Sequence, residues 1–264
     1  MEVRSYAKIN WALRVTGKRA DGYHDIETLF QTISLHDTLT FRMAERLSLT
    51  CHELVVDEAN LILRAARALG SPPVAITLQK RIPVGGGLGG GSSNAAATLV
   101  TLAKMFEIRT PLHDIALGLG SDVPFFLDGG TAYAKGRGEE LTPLPRVAAV
   151  PLVLVMPAVG VLTSEAYAML RRLSPPLGLQ RYRAMIEQGL LDHAADLIND
   201  FEEPIFAKLQ PLGRLKSRML EAGAAWAGMS GSGSTIVGAF RAQSERDQAL
   251  RRFGDVRAIA AETM

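Results

Sequence analysis

Apolar Ile9, Trp11, Leu13 and Val15 alternate with Lys8, Asn10, Ala12 and Arg14, and this period-two pattern predicts a half-buried strand with Lys8 and Asn10 on its other face. Turn chemistry follows at Thr16–Gly22 and delivers Tyr23 and His24 at the head of a second strand-like stretch through Ile33. Further β signals lie at Thr38–Met43 and Leu47–Cys51. A helix is predicted from Asn60, closed by Gly70, with Pro72 and Pro73 enforcing the exit. Val74, Ile76 and Leu78 alternate as a strand, a glycine cluster spans Gly85–Gly91, and Ser92-Ser93-Asn94 introduces an alanine-rich helix to about Phe106. Thr110-Pro111 opens a short helix that ends at Gly118–Gly120. A hairpin-like pair surrounds Gly136–Gly138.

Near Arg146–Pro151 the pattern restarts with a continuous apolar run, Leu152–Met156, of the kind a fully buried strand shows. Helical periodicity dominates beyond it, at Thr163–Leu173, Leu179–Gln188 and Leu212–Ala222. Two strands, Ala225–Met229 and Thr235–Phe240, flank a second Gly/Ser loop, and a helix at Ser244–Phe253 and a strand at Val256–Ala260 complete the chain. The expected division is an N-terminal domain of residues 1–148 and a C-terminal domain of residues 149–264. A chain of 264 residues can bury such cores without metal or disulfide staples.

Composition narrows the function classes. The formal charge is only +2, and Lys and Arg are interleaved with Asp and Glu, which argues against nucleic acid as a partner. Pairs such as Arg171-Arg172 and Arg251-Arg252 read as solvated helix faces. Cys51 is the only cysteine and the five histidines show no ligand spacing, so neither a disulfide nor a protein metal site is expected. The first residues lack a signal-peptide stretch, and the run Val147–Leu162 is broken by Pro151 and Pro157, so a cytoplasmic protein without membrane partners is expected.

The most informative segment is Pro83-Val84-Gly85-Gly86-Gly87-Leu88-Gly89-Gly90-Gly91-Ser92-Ser93-Asn94. Six glycines among seven residues let backbone N–H groups approach a ligand closely, and a helix start adds unpaired donors and a positive dipole end. Such a loop suits a polyphosphate. Gly85-x-Gly87-x-x-Gly90 also satisfies the dinucleotide fingerprint, but the preceding strand is amphipathic rather than a buried central one. No Gly-Lys-Ser/Thr ending exists, and protein-kinase motifs are absent. Lys8 could offset charge on a phosphoryl group, and Asp122, after a Gly-rich turn, could accept a proton from an attacking hydroxyl. Taken alone, each reads rather as a structural ion-pair residue, because charged groups at strand and turn ends are common.

The glycine segment, Leu119–Pro124 and the loop Gly228–Ser234 resemble the three ordered motifs of the GHMP kinase superfamily, over essentially the whole chain. Ala7-Lys8-Ile9-Asn10 and Gly17–His24 add a match to one particular branch of it. The resemblance implies an α/β (α+β) two-domain GHMP kinase fold, with an N-terminal ribosomal-protein-S5-like domain and a C-terminal ferredoxin-like domain. It implies an ATP-dependent kinase that needs Mg²⁺ with few protein ligands. The acceptor implied is the 2-hydroxyl of a cytidine diphosphate-linked methylerythritol, a precursor in non-mevalonate isoprenoid synthesis, and the state is a monomer or weak homodimer. Lys8 and Asp122 match the family's catalytic pair, with Asp122 the base. Asn10, Tyr23, His24 and Tyr167 match acceptor-binding positions, Tyr23 and Tyr167 as aromatic walls and His24 as reader of the base edge. Asn60, Pro83, Gly85, Gly86, Gly87, Leu88, Gly89, Gly90, Gly91, Ser92 and Ser93 match the ATP-binding positions. Asn60 is otherwise only a helix cap, and Tyr167 only a packed aromatic. Asn199-Asp200-Phe201-Glu202 is similar to an Asn-Asp-Leu-Glu stretch of the family with Phe201 a departure, and no role is assigned to it.

Overall fold

A computed structural model describes residues 1–53, 55–147 and 149–264. The first alternating segment forms strand β1 (Glu2–Lys18). Contrary to the half-buried expectation, both of its faces are covered from Ala7 to Val15, so Lys8, Asn10 and Arg14 are buried polar groups. The two next β signals fuse into one strand, β2 (His24–Met43). After β3 (Ser48–Cys51) come α1 (Leu61–Ala68), β4 (Val74–Gln79), α2 (Gly90–Met105), α3 (Leu112–Leu119) and a single-turn helix, α4 (Phe125–Asp128). The hairpin is β5 (Thr131–Gly136) and β6 (Glu140–Pro143), and β7 (Pro151–Val155) is buried throughout, as its apolar run requires. The chain continues through α5 (Thr163–Met169), α6 (Leu179–Gln188), a 3₁₀ segment (Leu190–Asp196), α7 (Glu202–Lys208) and α8 (Gln210–Glu221). It ends with β8 (Trp226–Met229), β9 (Ile236–Ala239), α9 (Gln243–Arg251) and β10 (Ala258–Glu262).

Packing gathers these elements into two compact units, residues 1–7, 35–84 and 89–129 in the first, and residues 8–34, 85–88 and 130–264 in the second. That grouping is by contact and interleaves along the sequence, because β1 and β2 each supply residues to both units. The boundary expected at 148 and 149 falls on Ala148, which lies outside the described residues.

In the first unit β4 pairs antiparallel with Thr38–Met43 of β2 and parallel with β3. One core joins Leu39, Phe41 and Ile76 of these strands to Ile62 and Leu102 of α1 and α2. Ala65, Ala95 and Ala96 lie in a second core, where the lack of bulk lets the two helices approach closely. Asp37, fully buried, accepts hydrogen bonds from Lys80 Nζ at 2.6 Å and from the backbone N–H groups of Arg81 and Ile82 at 2.7 and 2.8 Å. This carboxylate fixes the chain as it turns from β4 toward Pro83.

In the second unit β5 pairs antiparallel with β2, placing Leu29 opposite Tyr133, and with β6. A four-stranded antiparallel sheet has the order β10-β7-β9-β8. With helices between β7 and β8 and α9 between β9 and β10, this is the split β-α-β topology of a ferredoxin-like domain. Its core joins Val153 and Val155 of β7 to Met219, Phe240 and Phe253. Glu27 of β2 is buried and accepts from Tyr133 Oη at 3.0 Å and from the N–H groups of Leu177 and Gly178 at the start of α6. Burial, and after it the bond to Glu27, pushes the Tyr133 phenol up to about 12. The Tyr182 phenol is pushed up as well, by burial first and then by the charge of Glu27.

Asp37→Ala should leave the Lys80 ammonium buried without its carboxylate and lower the unfolding free energy by about 3–5 kcal/mol, read from urea denaturation. A loss below 1 kcal/mol would show that the pair does not hold this turn. Alkali gives a second check. Unfolded phenols ionise near 10.0, whereas folded Tyr133 holds its proton to about 12. Above pH 10 the unfolded state therefore binds fewer protons and stability falls as pH rises. The urea midpoint should decline between pH 10 and 12, and Tyr133→Phe should flatten that decline.

Candidate functional site

The glycine segment adopts the backbone its composition permits, with Gly85, Gly87 and Gly89 at φ of 69°, 74° and 67°. Only glycine reaches this left-handed region routinely, so the loop's path is written into its residue types. Helix α2 starts at Gly90, two residues before the serines, and its cap is the left-handed Gly89 rather than a hydroxyl. A Cβ at Gly90 would lie 2.9 Å from Ile82 Cγ2 and 2.9 Å from Lys80 Nζ, so this glycine is also required by packing. Ser93 faces inward. Its Oγ donates to the Tyr6 carbonyl at 2.6 Å and lies 2.7 Å from Ser5 Oγ, while its N–H donates to the Gly89 carbonyl. The donors that an N-terminal helical turn leaves for a ligand are thus those before Ser93, at Gly90, Gly91 and Ser92. This is a backbone cradle of the kind that fits a polyphosphate. The strand before it, β4, is buried only at alternate residues, as the sequence indicates.

The part of the loop in the second unit, Gly85–Leu88, is held at three points. Lys8 N–H donates to the Leu88 carbonyl at 3.0 Å, Ser230 Oγ to the Gly87 carbonyl at 2.8 Å, and Thr235 N–H to the Gly86 carbonyl at 3.3 Å. Leu88 is buried as the loop's apolar anchor. A Cβ at Gly87 would collide with the Ser230 carbonyl.

Lys8 and Asn10 do share a face. Lys8 is only 4% exposed, its Nζ donating to Asn10 Oδ1 at 2.7 Å and lying 4.8 Å from the centre of the Phe30 ring. Asn10 Nδ2 donates to Thr28 Oγ1 at 2.7 Å, and its backbone N–H to Ser230 Oγ at 3.3 Å. Both ends of the Asn10 amide are therefore engaged, and the arrangement aims the ammonium. Asp122 belongs to the first unit, half-buried in the turn between α3 and α4. Asn60 caps α1, its Oδ1 accepting from Ile62 N–H at 2.9 Å. Among the described residues no group of three or more His, Cys, Asp or Glu could hold a metal ion, and no helix is long and apolar enough to cross a membrane.

The aromatic candidates divide. The rings of His24 and Tyr167 stack with centroids 4.6 Å apart and planes 14° from parallel. Tyr23 is 55% exposed and its ring lies under the Arg137 guanidinium, 4.6 Å away. The turn that carries Tyr23 is tied by Asp21, whose carboxyl is held below its usual range first by the Tyr23 N–H and then by Arg19. The sequence assigns no role to Arg137, Ser230 or Asn199, whose partners lie far away in the chain. The available signals are the Gly228–Ser234 motif for Ser230 and the Asn199–Glu202 stretch for Asn199.

The chain matches two family models, GHMP kinases N terminal domain over residues 60–130 and GHMP kinases C terminal over residues 182–257. It is 41% identical to a 4-diphosphocytidyl-2-C-methyl-D-erythritol kinase of Chlorobium phaeobacteroides (strain BS1), an alignment covering 96% of this chain and 93% of the relative. A relative of the same name from Solibacter usitatus (strain Ellin6076) is 43% identical, with 96% and 85% covered. A solved structure, the crystal structure of a 4-(cytidine 5'-diphospho)-2C-methyl-D-erythritol kinase, is 35% identical and superposes with a TM-score of 0.87 over 100% of this chain and 99% of that one.

The loop yields a paired test. Gly85→Ala meets nothing within 4 Å and bears only the left-handed backbone, a cost of about 1 kcal/mol. Gly87→Ala adds a collision with backbone and should cost at least twice as much in urea denaturation, so equal costs would place the loop elsewhere. With the glycine cradle, the buried Lys8, the ferredoxin-like second sheet and near-full-length likeness to these relatives, the chain belongs to the GHMP kinase superfamily, alongside the 4-diphosphocytidyl-2-C-methyl-D-erythritol kinases.

Proposed function

We propose that this chain transfers the γ-phosphoryl group of ATP to the 2-hydroxyl of 4-diphosphocytidyl-2-C-methyl-D-erythritol, a step of non-mevalonate isoprenoid precursor synthesis. The observation that carries the reading is the glycine loop, left-handed at residues 85, 87 and 89 and leading into the open N-terminus of α2. The acceptor follows from the names of relatives that match nearly the whole chain.

In this reading Asp122 takes the proton of the acceptor hydroxyl as its oxygen attacks the γ-phosphorus. The bond from that phosphorus to the β–γ bridging oxygen breaks, and ADP leaves. Lys8, aimed by Asn10, offsets charge on the transferring group. Backbone donors from Gly85 to Ser92 hold the phosphates, and Pro83 and Asn60 border the nucleotide. His24 reads the cytosine edge, with Tyr23 and Tyr167 as aromatic walls and Asn10 beside the acceptor. Magnesium bound with ATP neutralises phosphate charge. Few protein ligands to that ion are proposed, and phosphate oxygens and water would supply the rest. The division into domains 1–148 and 149–264 belongs to this reading, and the two family models fall on opposite sides of it. So does a cytoplasmic monomer or weak homodimer with no nucleic-acid or membrane partner, in keeping with the interleaved charge.

An ADP-release assay across 4-diphosphocytidyl-2-C-methyl-D-erythritol, mevalonate, homoserine and a sugar should show turnover with the first alone. Equal turnover of mevalonate or homoserine would overturn the acceptor. Asp122→Asn should then lower turnover about a hundred- to ten-thousand-fold while ATP affinity, measured by calorimetry, holds. Near-wild-type turnover in that folded variant would remove Asp122 from catalysis.

A further inference from the structure

We infer that the Asn199–Glu202 turn is a positioning segment that sets both the His24–Tyr167 stack and the Ser230–Gly87 contact from one rigid piece of chain. It rests on the proposed function only for the ligand that each end serves.

The turn is bolted to β1. Leu13 N–H donates to the Ile198 carbonyl at 2.8 Å and Asp200 N–H to the Leu13 carbonyl at 2.9 Å. The Asp200 carboxylate accepts from Val15 N–H and from Ser174 Oγ, each at 2.7 Å. From this anchorage its two neighbours reach in different directions.

Asn199, buried, donates from Nδ2 to the carbonyls of Met229 at 2.7 Å and Gly231 at 2.8 Å, the residues on either side of Ser230. Glu202 adds a bond from Met229 N–H at 2.7 Å. The position of Ser230 is thereby fixed, and with it the hydroxyl that donates to Gly87 and accepts from Asn10.

Phe201 is 1% exposed and meets the Tyr167 ring at 4.9 Å with the planes at 89°. An edge-to-face partner fixes the plane of the ring it meets as well as burying it. Tyr167 in turn holds His24 face to face. Leucine would fill similar space but has no ring edge to present. The departure at residue 201 is thus a device for orienting Tyr167, and Asn199 is a device for orienting the loop.

The test exploits the split. Phe201→Leu should raise KM for 4-diphosphocytidyl-2-C-methyl-D-erythritol roughly three- to tenfold and leave KM for ATP within twofold. Asn199→Asp keeps the acceptor that Phe201 N–H uses but loses both N–H donors. It should raise KM for ATP by roughly tenfold and leave the acceptor KM within twofold. A merely structural segment would instead move both constants together, or neither, and that result would overturn the inference. A second readout needs no substrate. The His24 Cε1–H resonance, identified by its loss in His24→Asn, should shift in Phe201→Leu as the ring current of Tyr167 moves, and an unmoved resonance counts against the device. If the wild-type protein does not use the cytidine substrate at all, the proposed function fails. If it does and the split is missing, the positioning role fails.

Discussion

No side chain can stand at residue 87, because its Cβ would occupy space held by the Ser230 carbonyl. This approach of two backbones is the constraint from which the second unit's part of the glycine loop takes its place. It lets Ser230 Oγ reach the Gly87 carbonyl and take the Asn10 N–H, so one hydroxyl ties the glycine loop to β1. Asn10 then aims Lys8. A hydroxyl suits this post because it donates and accepts at once. The site is therefore assembled from backbone and small polar groups, whose positions the fold determines without the rotamer freedom of long side chains.

The features legible in the sequence were those set by local physics. The alternation at β4, the Asn60 cap and Gly70 stop of α1, the buried run of β7 and the glycine loop all follow from short-range periodicity and backbone permission. Features set by distant packing were not. The other face of β1 is covered although its residues are polar, and an alternating pattern cannot report that. Helix α2 begins at Gly90 because a left-handed glycine serves as its cap, which a search for hydroxyl caps overlooks. The 3₁₀ segment Leu190–Asp196 and helix α7 also escaped notice, being short and weakly periodic.

The candidate residues show the same division. Lys8, His24 and the glycines were identified by type and motif. What they touch was not, because Ser230 lies 143 residues from Gly87 and Asn199 lies 30 from Met229. The interleaved units have a similar cause. Long strands such as β2 carry one run of residues into each unit, and no shift in composition marks where that happens.

Two lysines show how one residue type is held in place by different kinds of partner. Lys80 is bonded to Asp37, whose charge offsets its own and whose second oxygen takes two backbone N–H groups. Such a pair is saturated by its surroundings and holds a turn in place. Lys8 is bonded to Asn10, a neutral amide, and lies near the face of Phe30. An amide oxygen can fix the direction of an ammonium. The same amide is held at its other end, where Asn10 Nδ2 donates to Thr28 Oγ1 at 2.7 Å, so the direction given to Lys8 is itself fixed by β2. A carboxylate at residue 10 would keep an acceptor for Lys8 Nζ but lose the N–H that Thr28 Oγ1 accepts, so the amide is what ties the direction of the ammonium to the neighbouring strand.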